Sequence, residues 1–383
     1  MRNFSFYNPT RILFGQGQIA SLTRLIPAGS RVLATHGGGS ILQNGVWQQV
    51  EQALEGHRIS RFGGIEANPQ YTTLLRAVAQ ARLDECDFIL AVGGGSVIDG
   101  SKFIAAALPY PGDPFDLLSG TRAEQALPLG CVLTLAATGS ESNGSGVVSH
   151  AARQQKLPFF SPLLFPRFAI LDPCTTFSLP PRQIGNGVID AFVHTLEQYL
   201  TYPSDAPLQE RYAEGLLLTL IEEGPKALAR PEDYAVRANL MWCATQALNG
   251  LLGCGVPQDW ASHLIGHELT ALYHLDHAQT LAVILPALLA ERRESKQAKL
   301  LQYAERVWGL RTGDPTQRVD AAIAATEGFF RRMGVPTRLS THGLDAEVIP
   351  EILAQLQRHG HTALGEHGDI DLAGSERILL RAL

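Results

Sequence analysis

The segment 261–280, ASHLIGHELTALYHLDHAQT, concentrates side chains that can bind a metal ion, because it holds four of the chain's 12 histidines. Imidazole nitrogens suit zinc, iron and other first-row divalent ions. His267-Glu268 begins like the metalloprotease motif H-E-x-x-H, but the position of the second histidine holds Ala271. The segment therefore predicts a metal site of another kind.

Two of these histidines can share one ion only if the chain turns between them. His263 and His267 are four residues apart and lie on one helix face. His277 lies 14 residues beyond His263, which is about 21 Å along a straight helix, whereas two donors to one ion lie within about 4.2 Å. Asp276, followed three positions later by Gln279, reads as an N-cap with a capping box. A new helix is therefore expected to begin at His277.

A second pair of candidate ligands lies in the apolar helix NGVIDAFVHTLEQYL, residues 186–200. Asp190 and His194 are four apart and share a helix face. A carboxylate in so apolar a helix must be paired if it is buried. The two side chains either hydrogen-bond to each other or bind a metal ion together, and both alternatives stay open at this point.

Small-residue loops follow predicted strands at residues 37–40 (GGGS) and 93–96 (GGGS). Ligands of parallel sheets lie beyond the carboxyl ends of the strands, where glycines let the backbone approach a phosphate and a helix N-terminus donates N–H groups. We expect Asp99 in the first turn of the helix after the second loop, accepting from a ribose or from backbone N–H groups. Neither loop is the G-x-G-x-x-G fingerprint, yet the pair favours a dinucleotide site over simple turns.

The loop at 37–40 also bears on the choice of dinucleotide. Sites for NAD use an acidic residue to hold the ribose 2′-hydroxyl. Here the strand end offers His36, Gly37, Gly38, Gly39 and Ser40, with no carboxylate. A 2′-phosphate would meet no repulsion there, which favours NADP; the alternative is that another loop holds the ribose.

The order of predicted elements indicates two domains in this chain of 383 residues. Residues 1–178 alternate apolar strands with helices, which predicts an α/β domain with a parallel sheet. Residues 179–383 show only helix-patterned segments and are expected to form an all-α domain. The predicted strands lie in 31–40, 87–96, 130–142 and 167–173, and the predicted C-terminal helices span 182–200, 207–222, 235–251, 258–272, 277–292, 294–308, 316–333 and 345–358.

Composition excludes several functional classes. The chain is 45% hydrophobic and 18% charged, as in globular proteins. A net charge of −6 argues against binding to nucleic acid or to an anionic membrane. No apolar run is long enough to span a bilayer. The five cysteines form no C-x-x-C pair, and the N-terminus lacks a signal-peptide pattern, so a reduced cytoplasmic protein is expected.

Four motifs together carry a family resemblance: GGGSVIDGSK (93–102), LAATGSES (135–142), LPPRQIGNGVIDAFVHTLEQY (179–199) and HLIGHELTALYHLDHAQT (263–280). On these motifs the chain resembles the iron-containing (group III) alcohol dehydrogenases over essentially its full length. Within that family it is most similar to the bacterial NADPH-dependent butanol dehydrogenase and broad-range aldehyde reductase branch. The resemblance implies the dehydroquinate synthase-like fold, with a Rossmann-like α/β N-terminal domain and an all-α C-terminal domain.

The resemblance also implies roles for individual residues. His267 matches a histidine beside the nicotinamide and the substrate, and is the candidate proton relay. His274 has no counterpart and is expected to be an exposed turn residue. The implied metal ligands are Asp190, His194, His263 and His277. The implied cofactor contacts are Gly94, Gly95 and Ser96 with neighbouring Asp99 at the pyrophosphate, Thr138 and Ser140 near the nicotinamide ribose and diphosphate, Asn68 and Lys156 at ribose hydroxyls, and Leu179 near the adenine.

The expected activity is reversible hydride transfer between NADP(H) and a small aldehyde or primary alcohol. One divalent metal, Fe²⁺ or Zn²⁺ with Mn²⁺ also suitable, would act as a Lewis acid, and a homodimer follows from the resemblance. Four protein ligands are typical of a structural zinc site, so the substrate oxygen must enter as a fifth ligand or one ligand must loosen.

Two other functions stay open. One is a glycerol-dehydrogenase- or dehydroquinate-synthase-like enzyme acting on a polyol or phosphorylated substrate, which would need extra basic or amide residues that the matched positions do not offer. The other is a non-catalytic protein that binds a nucleotide and a structural zinc, against which the presence of His267 argues.

Overall fold

The computed structural model describes residues 1–383 and divides the chain into two compact units. The α/β unit comprises Tyr7–Leu179 and Arg230–Asn249, and the helical unit comprises Met1–Phe6, Pro180–Ala229 and Gly250–Leu383. The division between residues 178 and 179 expected from the sequence differs at two segments. In the structure, residues 1–6 belong to the helical unit and residues 230–249 belong to the α/β unit. That 1–178 and 179–383 are two separate domains stays a prediction.

The α/β unit is built on a six-stranded sheet whose paired strands are all parallel. The apolar strand Phe88–Gly93 is buried at every position, as expected for a parallel sheet covered on both faces. The predicted α/β class is therefore confirmed. In sheet order the strands are β1 (Arg11–Phe14), β8 (Phe168–Leu171), β5 (Leu129–Leu133), β4 (Phe88–Gly93), β2 (Arg31–Thr35) and β3 (Arg58–Phe62).

Helices and a hairpin complete this unit. The antiparallel hairpin of β6 (Ser145–His150) and β7 (Gln155–Phe160) lies outside the main sheet. The last helix of the unit contacts the segment after β8, where Arg237 Nε donates to Thr176 Oγ1 at 2.9 Å, which explains why 230–249 group with the sheet. The helices are α1 (Leu22–Leu25), α2 (Val46–Ala53), α3 (Tyr71–Leu83), α4 (Gly95–Ala107) and α7 (Tyr234–Ala247).

The helical unit holds the remaining eight helices. All eight helices predicted after residue 178 are present, seven of them in this unit. The sequence analysis missed the last helix, α13. No helix of the protein is both long and apolar enough to cross a membrane. The helices are α5 (Pro181–Tyr199), α6 (Pro207–Ala229), α8 (Ala261–Tyr273), α9 (His277–Glu291), α10 (Gln297–Arg306), α11 (Pro315–Arg332), α12 (Ile349–Arg358) and α13 (Leu372–Arg381).

The predicted break between α8 and α9 is present. Helix α8 ends at Tyr273, His274 adopts a left-handed conformation with φ of 58°, and α9 begins at His277. His274 is exposed, as expected for a turn residue. The expected capping by Asp276 is wrong, because its side chain makes no cap hydrogen bond.

The carboxylate of Asp276 instead binds helix α5. Its Oδ2 accepts from Arg182 Nη1 at 2.6 Å and from Asn186 Nδ2 at 3.0 Å. The carboxylate makes these two bonds to side chains of α5 in place of the cap bond. The consequence is that the start of α9 is held against the first turns of α5.

Helix α5 is enclosed by its neighbours, since every residue from Ile184 to Tyr199 is buried. Such a helix needs close contacts on all sides. At Gly185, an added Cβ would lie 2.3 Å from the carbonyl oxygen of Met333, which is a backbone atom with little freedom to move.

We therefore expect Gly185→Ala to lower the free energy of unfolding by about 1–3 kcal/mol through overpacking, although alanine favours helices. Urea unfolding measures the change. The matched control is Gly215→Ala in α6, where no heavy atom lies within 4 Å of the added Cβ and a gain of about 0.5–1 kcal/mol is expected. A similar gain at both positions would contradict the close contact at Gly185.

Candidate metal centre and nucleotide site

Three helices of the helical unit bring together the four predicted metal ligands. Helix α5 contributes Asp190 and His194, α8 contributes His263, and α9 contributes His277, each through one donor atom, and these atoms all lie within 4.8 Å of one another. Asp190 Oδ1 is 3.9 Å from His194 Nδ1 and 3.7 Å from His277 Nε2. Donors to one ion lie at most about 4.2 Å apart, so a contraction of about half an ångström would bring all four donors within reach of one first-row ion.

The chemistry of these donors also fits a metal ion. His194 Nδ1 is buried and makes no hydrogen bond within the protein, which is costly for a polar atom unless a ligand binds it. Burial lowers the pKa of His194 to about 4, with Asp190 opposing the shift. The imidazole is therefore neutral at physiological pH, the form that binds metals. One carboxylate and three imidazoles suit Fe²⁺, Zn²⁺ or Mn²⁺.

Glu197 is a buried carboxylate next to this cluster that the sequence analysis missed. Its Oε2 accepts a hydrogen bond from Nδ1 of His263, and its Oε1 accepts from the backbone N–H of Ser262 at 2.8 Å. A sequence signal existed, since Asp190, His194 and Glu197 are spaced i, i+4, i+7 and share one helix face. That spacing places the Glu197 carboxylate next to the two candidate ligands of α5.

His267 lies beside the cluster without belonging to it. Its ring centroid is 5.5 Å from that of His277 and 6.3 Å from that of His263. The side chain is partly exposed, whereas His263 is buried. His267 is therefore adjacent to the cluster and in contact with solvent.

In the α/β unit, the predicted nucleotide loops lie at a switch point of the sheet. Strands β2 and β4 are neighbours, but the chain continues from β2 outward to β3 and from β4 to β5 on the other side. Ligands of open α/β sheets bind at such points, beyond the carboxyl ends of the strands. The loops 37–40 and 94–96 follow these two strands.

Glycines allow the loops after β4 and β5 to touch. Helix α4 begins at Gly95, where an added Cβ would lie 2.3 Å from Thr138 Oγ1, and at Gly94 it would lie 3.0 Å from Leu135 Cβ. Residues 94–96 and 138–140 therefore form one continuous surface. This surface lies at the N-terminus of α4, and helix N-termini are positions that can bind phosphates.

Asp99 was expected in the first turn of α4, and this is wrong, since that turn holds no acidic residue. Asp99 lies one turn later. Its Oδ1 accepts from Ser140 Oγ at 2.6 Å, and its Oδ2 accepts from the N–H of Val147 at 3.0 Å. Of the two partners considered, ribose or backbone N–H, the structure shows the backbone one. Asp99 thus fixes the loop after β5 and the hairpin.

Lys102 also holds this loop in place, and the sequence analysis missed it as well. Its ammonium is buried and donates to Ser140 Oγ at 2.8 Å, to Asn143 Oδ1 at 3.0 Å and to the carbonyl of Ser145 at 2.6 Å. Burial lowers the pKa of Lys102 to about 8, and Asp99 opposes that shift. The i, i+3 spacing of Asp99 and Lys102 in the motif at 93–102 was the available signal.

Asn68 and Lys156 come from segments that meet near Ser96. Asn68 has a left-handed backbone with φ of 58°, and its N–H donates to Ser96 Oγ at 3.3 Å. The N–H of Ser149 donates to the carbonyl of Pro69 at 2.8 Å, and Ser149 pairs with Lys156 across the hairpin. The positive charge of Lys156 also lowers the pKa of Asp99, against the larger rise that burial causes.

Leu179 and the 37–40 loop lie at the outer side of the same edge. Asn44 Nδ2, just beyond that loop, donates to Oγ of Ser178 at 2.9 Å, which places Leu179 nearby. Gly39 has φ of 103°, a conformation that favours glycine, and Ser40 is exposed. The structure therefore gathers the predicted cofactor residues of the α/β unit along the carboxyl edge of its sheet.

Comparisons with known proteins identify the family of the chain. The family description "Iron-containing alcohol dehydrogenase" matches residues 9–173, and "Fe-containing alcohol dehydrogenase family, C-terminal" matches residues 185–367. The chain is 59% identical over 382 residues to the NADPH-dependent aldehyde reductase YqhD of Escherichia coli, covering 99% of each chain. It is 41% identical over 387 residues to NADP-dependent alcohol dehydrogenase 3 of Entamoeba histolytica, covering 99% of this chain and 98% of that relative.

Solved structures share the whole fold. The crystal structure of E. coli YqhD matches with a TM-score of 0.98 at 58% identity, covering 100% of this chain and 99% of that one. The NADH-dependent butanol dehydrogenase A from Thermotoga maritima matches with a TM-score of 0.95 at 34% identity, again covering 100% and 99%.

A parallel sheet with glycine loops at its switch point and a helical unit with an Asp-His₃ cluster are the features expected of a metal-containing dehydrogenase. The chain belongs to the iron-containing alcohol dehydrogenase family. The resemblance, the fold class and the oxidoreductase class predicted from the sequence are confirmed.

Proposed function

We propose that this protein interconverts small aldehydes and primary alcohols with NADP(H), using one divalent ion held by Asp190, His194, His263 and His277. The observation that carries the proposal is the convergence of these four donors, all within 4.8 Å, with three of the four residues buried. The name of the E. coli relative, an NADPH-dependent aldehyde reductase at 59% identity, supports aldehyde reduction as the direction of the reaction and NADP(H) as the coenzyme.

Each component has a distinct task. The ion, when bound, supplies a Lewis acid for the substrate oxygen, and the coenzyme supplies the hydride. His267 is the proposed proton relay to that oxygen, because it lies beside the ligands and histidine is the side chain most often used for such transfers. The cofactor contacts proposed for the α/β unit orient the nicotinamide.

The coenzyme preference is proposed from the loop after β2. No carboxylate follows that strand at 36–40 to accept from a ribose 2′-hydroxyl or to repel a 2′-phosphate. Ser40 is exposed and can donate to a phosphate. The NADP(H)-dependent relatives at 59% and 41% identity support this choice, and the T. maritima structure shows that the same fold serves a protein named for NADH.

A homodimer and a cytoplasmic location complete the proposal. The homodimer rests on the family resemblance. The location is supported by the thiols, since all five cysteines are free and none is paired in a disulfide, as expected in a reducing compartment.

The activity is tested directly by mixing the metal-loaded protein with NADPH and butanal and following the loss of NADPH absorbance. We expect turnover with butanal and other short aldehydes, and a much slower reaction with NADH under the same conditions. Absence of NADPH oxidation across several aldehydes, with bound metal verified, would contradict the dehydrogenase proposal. An equal or faster rate with NADH would contradict the coenzyme proposal alone.

Gly38 offers a sharper test of coenzyme choice, because no heavy atom lies within 4 Å of an added Cβ there. We expect Gly38→Asp to lower the ratio of kcat/KM for NADPH to that for NADH by about 10- to 100-fold, as expected for like-charge repulsion of roughly 1–3 kcal/mol. Steady-state kinetics with both coenzymes measure it. Gly38→Asn has the same shape without the charge, so equal ratios in the two variants would exclude repulsion as the cause.

A further inference from the structure

The contacts of Glu197 link two metal-binding helices of the helical unit. Its side chain is 3% exposed. It accepts from His263 Nδ1 and from the backbone N–H of Ser262, while its own carbonyl accepts from the N–H of Asp259 at 2.7 Å. One residue of α5 thus holds both the first turn of α8 and the ring of a ligand on it.

A buried lysine holds the same junction in place. Lys296 is 3% exposed, and its ammonium donates to the carbonyl of Leu200 at the end of α5 at 2.7 Å. It also forms ion pairs with Asp259 Oδ2 at 3.0 Å and Glu366 Oε1 at 2.6 Å. Asp259 Oδ1 accepts from the N–H of Ala261 at 2.9 Å, where α8 begins. The start of α8 is therefore fixed relative to α5 by charged groups on both sides of Glu197.

We propose that Glu197 is the positioning residue of the metal centre, acting through His263. The inference rests on the ligand set proposed above. A carboxylate only accepts hydrogen bonds, so its bond to Nδ1 selects the tautomer of His263 that leaves Nε2 with a lone pair for the ion. Outer carboxylates of this kind fix ring orientation and raise the basicity of a ligating histidine.

The structure offers a matched control in α8, the helix that carries His263. Glu268 of α8 is also a buried carboxylate, and it also accepts from a histidine Nδ1, that of His359, at 2.8 Å. His359 is not one of the four proposed ligands. Replacing Glu268 therefore removes a similar buried pair without touching a ligand, which separates a general loss of stability from a specific loss of metal affinity.

The test measures Zn²⁺ affinity by competition with a chromogenic chelator, together with the visible spectrum of the Co²⁺-substituted protein. We expect Glu197→Ala to weaken Zn²⁺ binding by about 10- to 100-fold and to change the Co²⁺ bands that report ligand geometry. Glu197→Gln should lose less, because its amide oxygen still accepts from Nδ1. Glu268→Gln should keep the affinity and the spectrum of the unmodified protein.

Two outcomes would overturn the inference. One is an unchanged affinity and spectrum in Glu197→Ala. The other is an equal loss of Zn²⁺ affinity in Glu197→Gln and Glu268→Gln, which would show that Glu197 has only a structural role. This second comparison can be made even if Glu197→Ala does not fold. His263→Ala serves as the reference. If it retains Zn²⁺, the proposed ligand set is wrong. If it loses Zn²⁺ while both Glu197 variants retain it, only the positioning role of Glu197 is rejected.

Discussion

The burial of the Asp190 carboxylate is the constraint on which the helical unit depends. Asp190 is 2% exposed in a helix enclosed along most of its length. A carboxylate in such surroundings needs opposite charge. Its neighbour His194 supplies none at neutral pH, because burial lowers the pKa of that imidazole to about 4. The divalent ion proposed above would add positive charge beside this carboxylate, and it would account for the convergence of three imidazoles there.

The surrounding structure fixes the relative positions of the four proposed ligands. His263 and His277 reach one place only because the chain turns between α8 and α9. The turn is held from α5, where Arg182 and Asn186 bind Asp276. In the α/β unit, Asp99 and Lys102 do the equivalent work by fixing the loop that ends in Ser140. In both units, charged side chains fix the segments that carry the residues proposed to bind ligands.

Local spacing in the sequence predicted much of this architecture. The apolar strands β2, β4, β5 and β8 are interior strands of the sheet and were predicted, whereas the edge strands β1 and β3 were missed. Edge strands are less buried, and β3 carries arginines at both 58 and 61, so their pattern is weaker. Asp190 and His194 were predicted as a candidate ligand pair because a helix brings side chains at i and i+4 together.

What the sequence could not predict depends on contacts between distant segments. Asp276 has the residue type and spacing of an N-cap, but its carboxylate binds Arg182, which is 94 residues away in the sequence. The bond between Glu197 and His263 spans 66 residues, and that between Lys102 and Ser140 spans 38. Such pairs follow from how helices and loops meet, which local periodicity does not encode.

The central claim is that α5, α8 and α9 hold one divalent ion jointly and that His267 acts beside it. The most direct measurement is the metal content, at saturating Zn²⁺ followed by gel filtration, of His277→Ala compared with His267→Ala. We predict that His277→Ala loses the ion, whereas His267→Ala retains it and loses only turnover. Full retention of metal in His277→Ala, or its loss in His267→Ala, would contradict the assignment.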